Sequence, residues 1–175
     1  RHTCMCFIKK RSGRIINIAS MSGKIVNTPQ PQSAYNSSKA AVIHLTRSLA
    51  FEWAQYNIRV NAIAPGYMNT AMAQPFFNDP EYGGVWIPAI PLKRPGEPVE
   101  LAPVAILLAS EASSYMTGTT VTIDGGYTVL LSGKSATQSK VQNILWICNY
   151  GIDHAQYWVI KKPAFHGKLK GSKSG

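Results

Sequence analysis

Tyr35 and Lys39 are the two residues whose types and spacing best suit proton transfer in this chain. Four residues apart on a helix, they share one face. A phenol with a pKa near about 10 is mostly protonated at neutral pH, and an ammonium group beside it favours the phenolate. Two serines come earlier, Ser20 fifteen residues and Ser22 thirteen residues before the tyrosine. A hydroxyl facing the pair would complete an acid–base site. The spacing alone is weak evidence. Eight tyrosines and twelve lysines among 175 residues would give one Tyr-x-x-x-Lys by chance in roughly half of such chains, so its context has to carry the argument.

The elements around the pair supply that context. Arg14–Ala19 is a short apolar run with the length and composition of a buried parallel strand. Ser20 to Gly23 end it, and Pro29 and Pro31 keep the next stretch out of a helix. A helical pattern then runs from Ser33 to about Tyr56. Val42, Leu45, Leu49 and Trp53 form its stripe, and Ala40, Ala41, Ile43, Ala50 and Ala54 spread around the rest. Such a helix is expected to be buried on more than one side, and His44 within it reads as a packed or interface residue. Asn57 is the break. Ile58–Ala64 reads as a second strand that meets a sharp turn at Pro65-Gly66. In open α/β sheets ligands bind beyond the carboxyl ends of strands, so Ala19–Gly23 and Ala64–Thr70 are expected to face one crevice.

Residues 71–95 are rich in proline, glycine and aromatics and read as an irregular loop or a lid. Glu97-Pro98 opens a helix to about Ser110, with Leu101, Val104, Ala105, Leu107 and Leu108 on its core face. Thr119–Ile123 is a third strand, ended by Asp124-Gly-Gly126.

Four blocks in order, Asn17-Ile-Ala-Ser20, Tyr35-Asn-Ser-Ser-Lys39, Asn61-Ala-Ile-Ala-Pro-Gly66 with Thr70, and Asp124-Gly-Gly126, resemble the short-chain dehydrogenase/reductase family. Pro29-Gln-Pro-Gln32, Val42-Ile-His-Leu45, Glu52-Trp-Ala54 and Tyr56-Asn-Ile-Arg-Val-Asn61 are most similar to its fungal polyol dehydrogenases, which act on arabinitol, mannitol, sorbose and xylulose. The resemblance implies an α/β fold, a Rossmann-like doubly wound parallel sheet truncated to its carboxyl-terminal strands and helices. It implies NAD or NADP as cofactor, with NADP favoured, a polyol or ketose as substrate, and a homo-oligomer for the full-length protein, with the second face of the long helix in a dimer interface. Tyr35 would be the acid/base, Lys39 would favour its phenolate and bond the nicotinamide ribose, and Ser20 would orient the substrate oxygen. Ser20 is preferred to Ser22 because Asn17-Ile-Ala-Ser-x-x-Gly places it on the family serine and Gly23 on the family glycine. The extra residues then fall in the Pro29–Gln32 loop. Pro65, Gly66, Met68 and Thr70 would receive the carboxamide end of the nicotinamide. A 3-oxoacyl or other carbonyl reductase of the same family is the alternative substrate class. A catalytically dead chain that only associates with intact subunits is the alternative in kind.

No Gly-x-x-x-Gly-x-Gly is present, and the chain begins with Arg1 rather than methionine. On the resemblance it is expected to be a fragment holding only the nicotinamide end of the cofactor. It divides into 1–13, the end of a preceding helix or a lead outside the family; 14–127, the carboxyl-terminal half of the domain; and 128–175, a basic tail. That tail is expected to pack poorly, with a strand at most at Tyr157–Ile160 and disorder from Lys168. The net charge of +10 sits at the two ends. Residues 1–14 carry five basic and no acidic groups, 134–175 seven lysines against Asp153, and 15–133 six basic and seven acidic groups. Solvated basic ends do not make a nucleic-acid surface. No apolar run reaches the roughly 18 residues of a membrane span. Cys4, Cys6 and Cys148 are odd in number and badly spaced for zinc, so no metal is expected, and reduced thiols point to a cytoplasmic location.

Overall fold

A computed structural model describes residues 2–129 of the chain. The expectations for the tail beyond Val129, including the strand at Tyr157–Ile160, fall outside the described residues. Three strands, β1 (Gly13–Ile18), β2 (Ile58–Pro65) and β3 (Thr120–Ile123), form a parallel sheet in the order β1-β2-β3. Gly13 pairs with Ile58 and Ile18 with Ile63, while Ala62 pairs with Thr120 and Pro65 with Ile123. Parallel neighbours require crossovers. The long helix α2 (Ser33–Trp53) connects β1 to β2, and α5 (Ala102–Ala109) precedes β3. A parallel sheet with crossover helices is the α/β architecture expected.

β2 is the centre. Ile58, Val60, Ala62, Ile63 and Ala64 are all buried, as a strand covered on both faces must be. Ile58, Val60, Ala62 and Ala64 turn to α2, where Ala62 and Ala64 meet Ala19 and Ile43, and Ile58 and Val60 meet Ala50. Arg59, on the alternate face, reaches the carboxyl end of α5 and donates to the carbonyls of Ser110 (2.8 Å) and Ser113 (2.7 Å). The two helices therefore lie on opposite faces of the sheet. Each buried Ile or Val contributes about 1.5–3 kcal/mol.

β1 is an edge strand, half-buried at Ile15 to Asn17 and 55% exposed at Ile18, as a sheet truncated to its carboxyl-terminal strands leaves it: among the described residues no strand pairs with its other side. Several expectations need correction. On α2 the buried stripe is Ile43, Thr46 and Ala50, one position round from the one expected. Leu45 is 50% and Phe51 88% exposed. Thr46 is drawn in by hydrogen bonds: its Oγ1 donates to the Val42 carbonyl (2.8 Å) and accepts from Asn17 Nδ2 (2.9 Å). His44 is exposed rather than packed. On α5 only Leu108 is fully buried, and Leu107 faces out.

The segment before β1 is a helix, α1 (His2–Lys10). It stops at Arg11, whose φ is 49°. Asn57 ends the α2 unit as expected, in the left-handed region at φ 56°. Residues 71–95 are not irregular. They contain α3 (Gln74–Phe77) and α4 (Gly83–Ala89), which precede a short 3-10 turn, Pro98–Leu101.

Candidate active site

The carboxyl ends of β1 and β2 lie side by side. Ala19 extends the pairing by donating its N–H to the Ile63 carbonyl (2.8 Å), so Ser20 emerges beside Ala64 and Pro65. Ser20 opens a 3-10 turn, Met21–Gly23, and its Oγ accepts the N–H of Ser22 (3.1 Å). That bond uses the hydroxyl oxygen and leaves the proton free to donate. Ser22 is also buried, and its Oγ accepts from Gln32 Nε2 (3.4 Å).

Both Tyr35 and Lys39 come from the first turns of α2. Lys39 Nζ donates to the carbonyl of Ile18, the last residue of β1, at 3.1 Å, and lies 5.7 Å from the centroid of the Tyr35 ring. The lysine thus stands at the strand end with two donors to spare. Tyr35 is 46% exposed. The helix head comes this close because Gly23 has no side chain. A Cβ there would sit 2.7 Å from the Lys39 carbonyl carbon and 2.8 Å from the Ala40 nitrogen.

A second close approach shapes the turn after β2. A Cβ on Gly66 would lie 2.6 Å from Asp124 Cα, and the Gly66 N–H donates to the Ile123 carbonyl (2.8 Å). Asp124 is held in turn by Gly126 N–H (2.9 Å), Thr128 N–H (2.8 Å) and Thr128 Oγ1 (2.6 Å), all donating to its carboxylate. Met68 bridges to Gly96, and Thr70 Oγ1 accepts the N–H of Ala73 (3.2 Å) at the start of the 71–95 segment. Ser20, Tyr35 and Lys39 therefore gather at the end of β1, and Pro65, Gly66, Met68 and Thr70 form the turn at the end of β2 beside it.

Sequence reasoning missed a polar and aromatic wall next to these groups. Asn27, 3% exposed, donates through Nδ2 to the Tyr67 hydroxyl (3.1 Å). Gln32 Nε2 donates to Asn27 Oδ1 (2.9 Å), and Trp86 stacks on Tyr67 with centroids 4.3 Å apart. Tyr127 meets the edge of the same tyrosine, and burial and the hydroxyl of Tyr67 push its phenol well above the ordinary range. The signal available was the run of amides, Asn27, Gln30 and Gln32, directly before Tyr35. Among the described residues no group of three or more His, Cys, Asp or Glu side chains could hold a metal ion, and no helix is long and apolar enough to cross a membrane.

A nicotinamide and its ribose fit this arrangement by donor chemistry. Lys39 retains two N–H donors beside an exposed phenol.

Comparisons with known proteins identify the family. A family model described as enoyl-(acyl carrier protein) reductase, of the short-chain dehydrogenase type, matches residues 2–128. The chain is 50% identical over 122 residues to galactitol 2-dehydrogenase (L-tagatose-forming) of Cereibacter sphaeroides, covering 70% of this chain and 48% of that protein. It is 55% identical over 117 residues to the ribulose-forming D-arabinitol 2-dehydrogenase of Scheffersomyces stipitis, covering 66% and 42%. The crystal structure of a gluconate 5-dehydrogenase from Burkholderia cenocepacia, in complex with NADP and tartrate, superposes with a TM-score of 0.68 at 33% identity, covering 73% of this chain and 49% of that one. The chain spans about half the length of the curated relatives it matches. With the parallel sheet, the Tyr35–Lys39 helix at its strand ends and a family match over nearly all the described residues, the chain belongs to the short-chain dehydrogenase/reductase family.

Proposed function

We propose that residues 14–127 carry the acid–base half of a nicotinamide-dependent oxidoreductase that interconverts a sugar alcohol and a ketose. The observation that carries this reading is the seating of Lys39, bonded to the last carbonyl of β1 with its ammonium beside the Tyr35 ring. The polyol substrate class rests on the names of relatives about half identical to this chain. The cofactor is NAD or NADP, and NADP is favoured by the gluconate 5-dehydrogenase complex.

When bound, the nicotinamide accepts a hydride from the alcohol carbon, or gives one to the ketone carbon. The residues of this chain handle the proton. The Tyr35 oxygen takes the hydroxyl proton during oxidation and returns it during reduction. Lys39 stands beside the Tyr35 ring and has donors left for the ribose hydroxyls. Ser20, whose oxygen already accepts the Ser22 N–H, donates its proton to the substrate oxygen and orients it. Pro65, Gly66, Met68 and Thr70 line the carboxamide end. The reading includes a homo-oligomeric whole protein, supported by the apolar side chains of Leu45 and Phe51 left exposed on α2, and a cytoplasmic location, supported by the odd number of cysteines.

The test is steady-state oxidation of galactitol, arabinitol and mannitol with NAD and NADP, followed by nicotinamide absorbance. It uses the chain joined to the amino-terminal half of such a relative. Tyr35→Phe should lower kcat by about 10²–10⁴-fold, the usual worth of a positioned acid–base, with cofactor affinity kept. Equal activity of Tyr35→Phe overturns the mechanism. Turnover of a 3-oxoacyl thioester but of no polyol overturns the substrate class alone.

A further inference from the structure

We propose that Trp86 is a positioning residue: its indole pins the 71–95 segment to the loop that feeds Tyr35 and to the turn after β2, and so sets the substrate end of the site. The proposal rests on the reading of the site given above. Trp86 lies in α4 and is only 7% exposed. Its Nε1–H is shared between the Thr28 carbonyl (3.0 Å) and Gln30 Oε1 (3.1 Å), both in the loop between Gly23 and the head of α2. Its ring stacks on Tyr67, 4.3 Å between centroids and 14° between planes, and Tyr67 stands between Gly66 and Met68. Phe77 at 6.0 Å and Tyr82 at 5.4 Å pack its remaining sides.

One side chain therefore joins the 71–95 segment, the turn after β2 and the Thr28–Gln30 loop, and that loop has no backbone hydrogen bond to either of the other two. The loop it holds leads directly into the helix that carries Tyr35. Gln30, bonded to the indole, also donates to the Tyr67 hydroxyl (3.4 Å), which closes the triangle. A buried indole N–H with two acceptors specifies a single placement of α4, since any shift would leave a desolvated donor unpaired. Trp86 reaches no reacting atom in this arrangement. It acts through Gln30, Thr28 and Tyr67.

The decisive variant is Trp86→Phe, which keeps the stack and the buried ring but removes the N–H, so the fold is retained. Loss of one net hydrogen bond is worth about a fivefold change. In the full protein, amide hydrogen exchange of residues 83–90 should quicken about fivefold relative to β2. The KM for the polyol should rise about fivefold, with the KM for the nicotinamide cofactor within about twofold. Gln30→Leu should reproduce this, and the double variant should cost no more than either alone. Unchanged exchange in 83–90, an unchanged polyol KM despite faster exchange, or full additivity in the double variant would each overturn the pin. If the unmodified protein oxidises no polyol, the reading of function fails, and the exchange and its non-additivity decide the pin on their own.

Discussion

Two glycines govern how closely chemistry can be assembled at these strand ends. Gly23 lets the backbone of Lys39 and Ala40 come within 2.8 Å of where a Cβ would sit, and Gly66 does the same for Asp124. Neither requirement is one of backbone angle, since both are matters of space. Gly23→Ala must push α2 away from the turn that carries Ser20. We expect it to destabilise the fold by about 1–3 kcal/mol, the usual cost of overpacking, read as a lower urea midpoint at constant m value. Because the displaced atoms belong to Lys39, the fall in kcat should exceed anything the loss of folded protein explains. An alanine variant with the urea midpoint unchanged would show that the helix head yields freely.

At the scale of elements, hydrogen bonds rather than apolar area decide several boundaries. The 3-10 turn before α5 is held by Glu100. Its Oε2 accepts the Glu97 N–H (2.7 Å), and Arg94 grips both oxygens at 2.8 Å. The Arg94 guanidinium, then the Glu97 N–H, lower the Glu100 pKa from 4.5 to about 2. A carboxylate depressed in the fold stabilises above its unfolded pKa. That contribution is therefore present above about pH 4.5 and is lost as the pH falls toward about 2. Glu100→Gln should flatten this part of the acid-unfolding curve, and an unaltered curve would sink the assignment. The group is exposed, so the effect is small and shrinks with salt.

For the molecule as a whole, β2 is the member on which both layers depend. Ile58, Val60, Ala62 and Ala64 face α2, and Arg59 and Asn61 tie down the opposite layer. Arg59 donates to carbonyls at the end of α5, where the helix dipole favours a cation. Asn61, 1% exposed, donates to the Met116 carbonyl (2.8 Å) and accepts the Thr119 N–H (3.1 Å), which sets the entry of β3. Arg59→Met leaves those helix-end carbonyls without their donor. We expect a loss of about 1.5–3 kcal/mol, the worth of hydrogen bonds to a charged group, measured by urea unfolding. A loss below about 0.5 kcal/mol would mean that water replaces the guanidinium there.

What the sequence by itself determined is whatever is encoded locally. Apolar runs bounded by Gly, Pro and Asn marked β1, β2 and β3 to within a residue, and Asn57 marked the stop after α2. The Tyr35–Lys39 spacing put both side chains on one helix face, and the order of four blocks pointed to the family. Only the tertiary structure decided which face of α2 is buried. Several faces were apolar, and the choice fell to Thr46, whose hydroxyl finds Asn17 on a strand 29 residues away. Only packing could show that the aromatic segment 71–95 folds into two short helices, because those helices lack strong local signals and are held by Trp86 against Tyr67 and Gln30. The amide wall was equally hidden. Asn27, Gln30 and Gln32 read as polar loop residues until the chain brings Tyr67 from 40 residues away to accept the Asn27 donor. Local chemistry is legible in order along a chain, whereas partners far apart in sequence exist only once the sheet has set their distance.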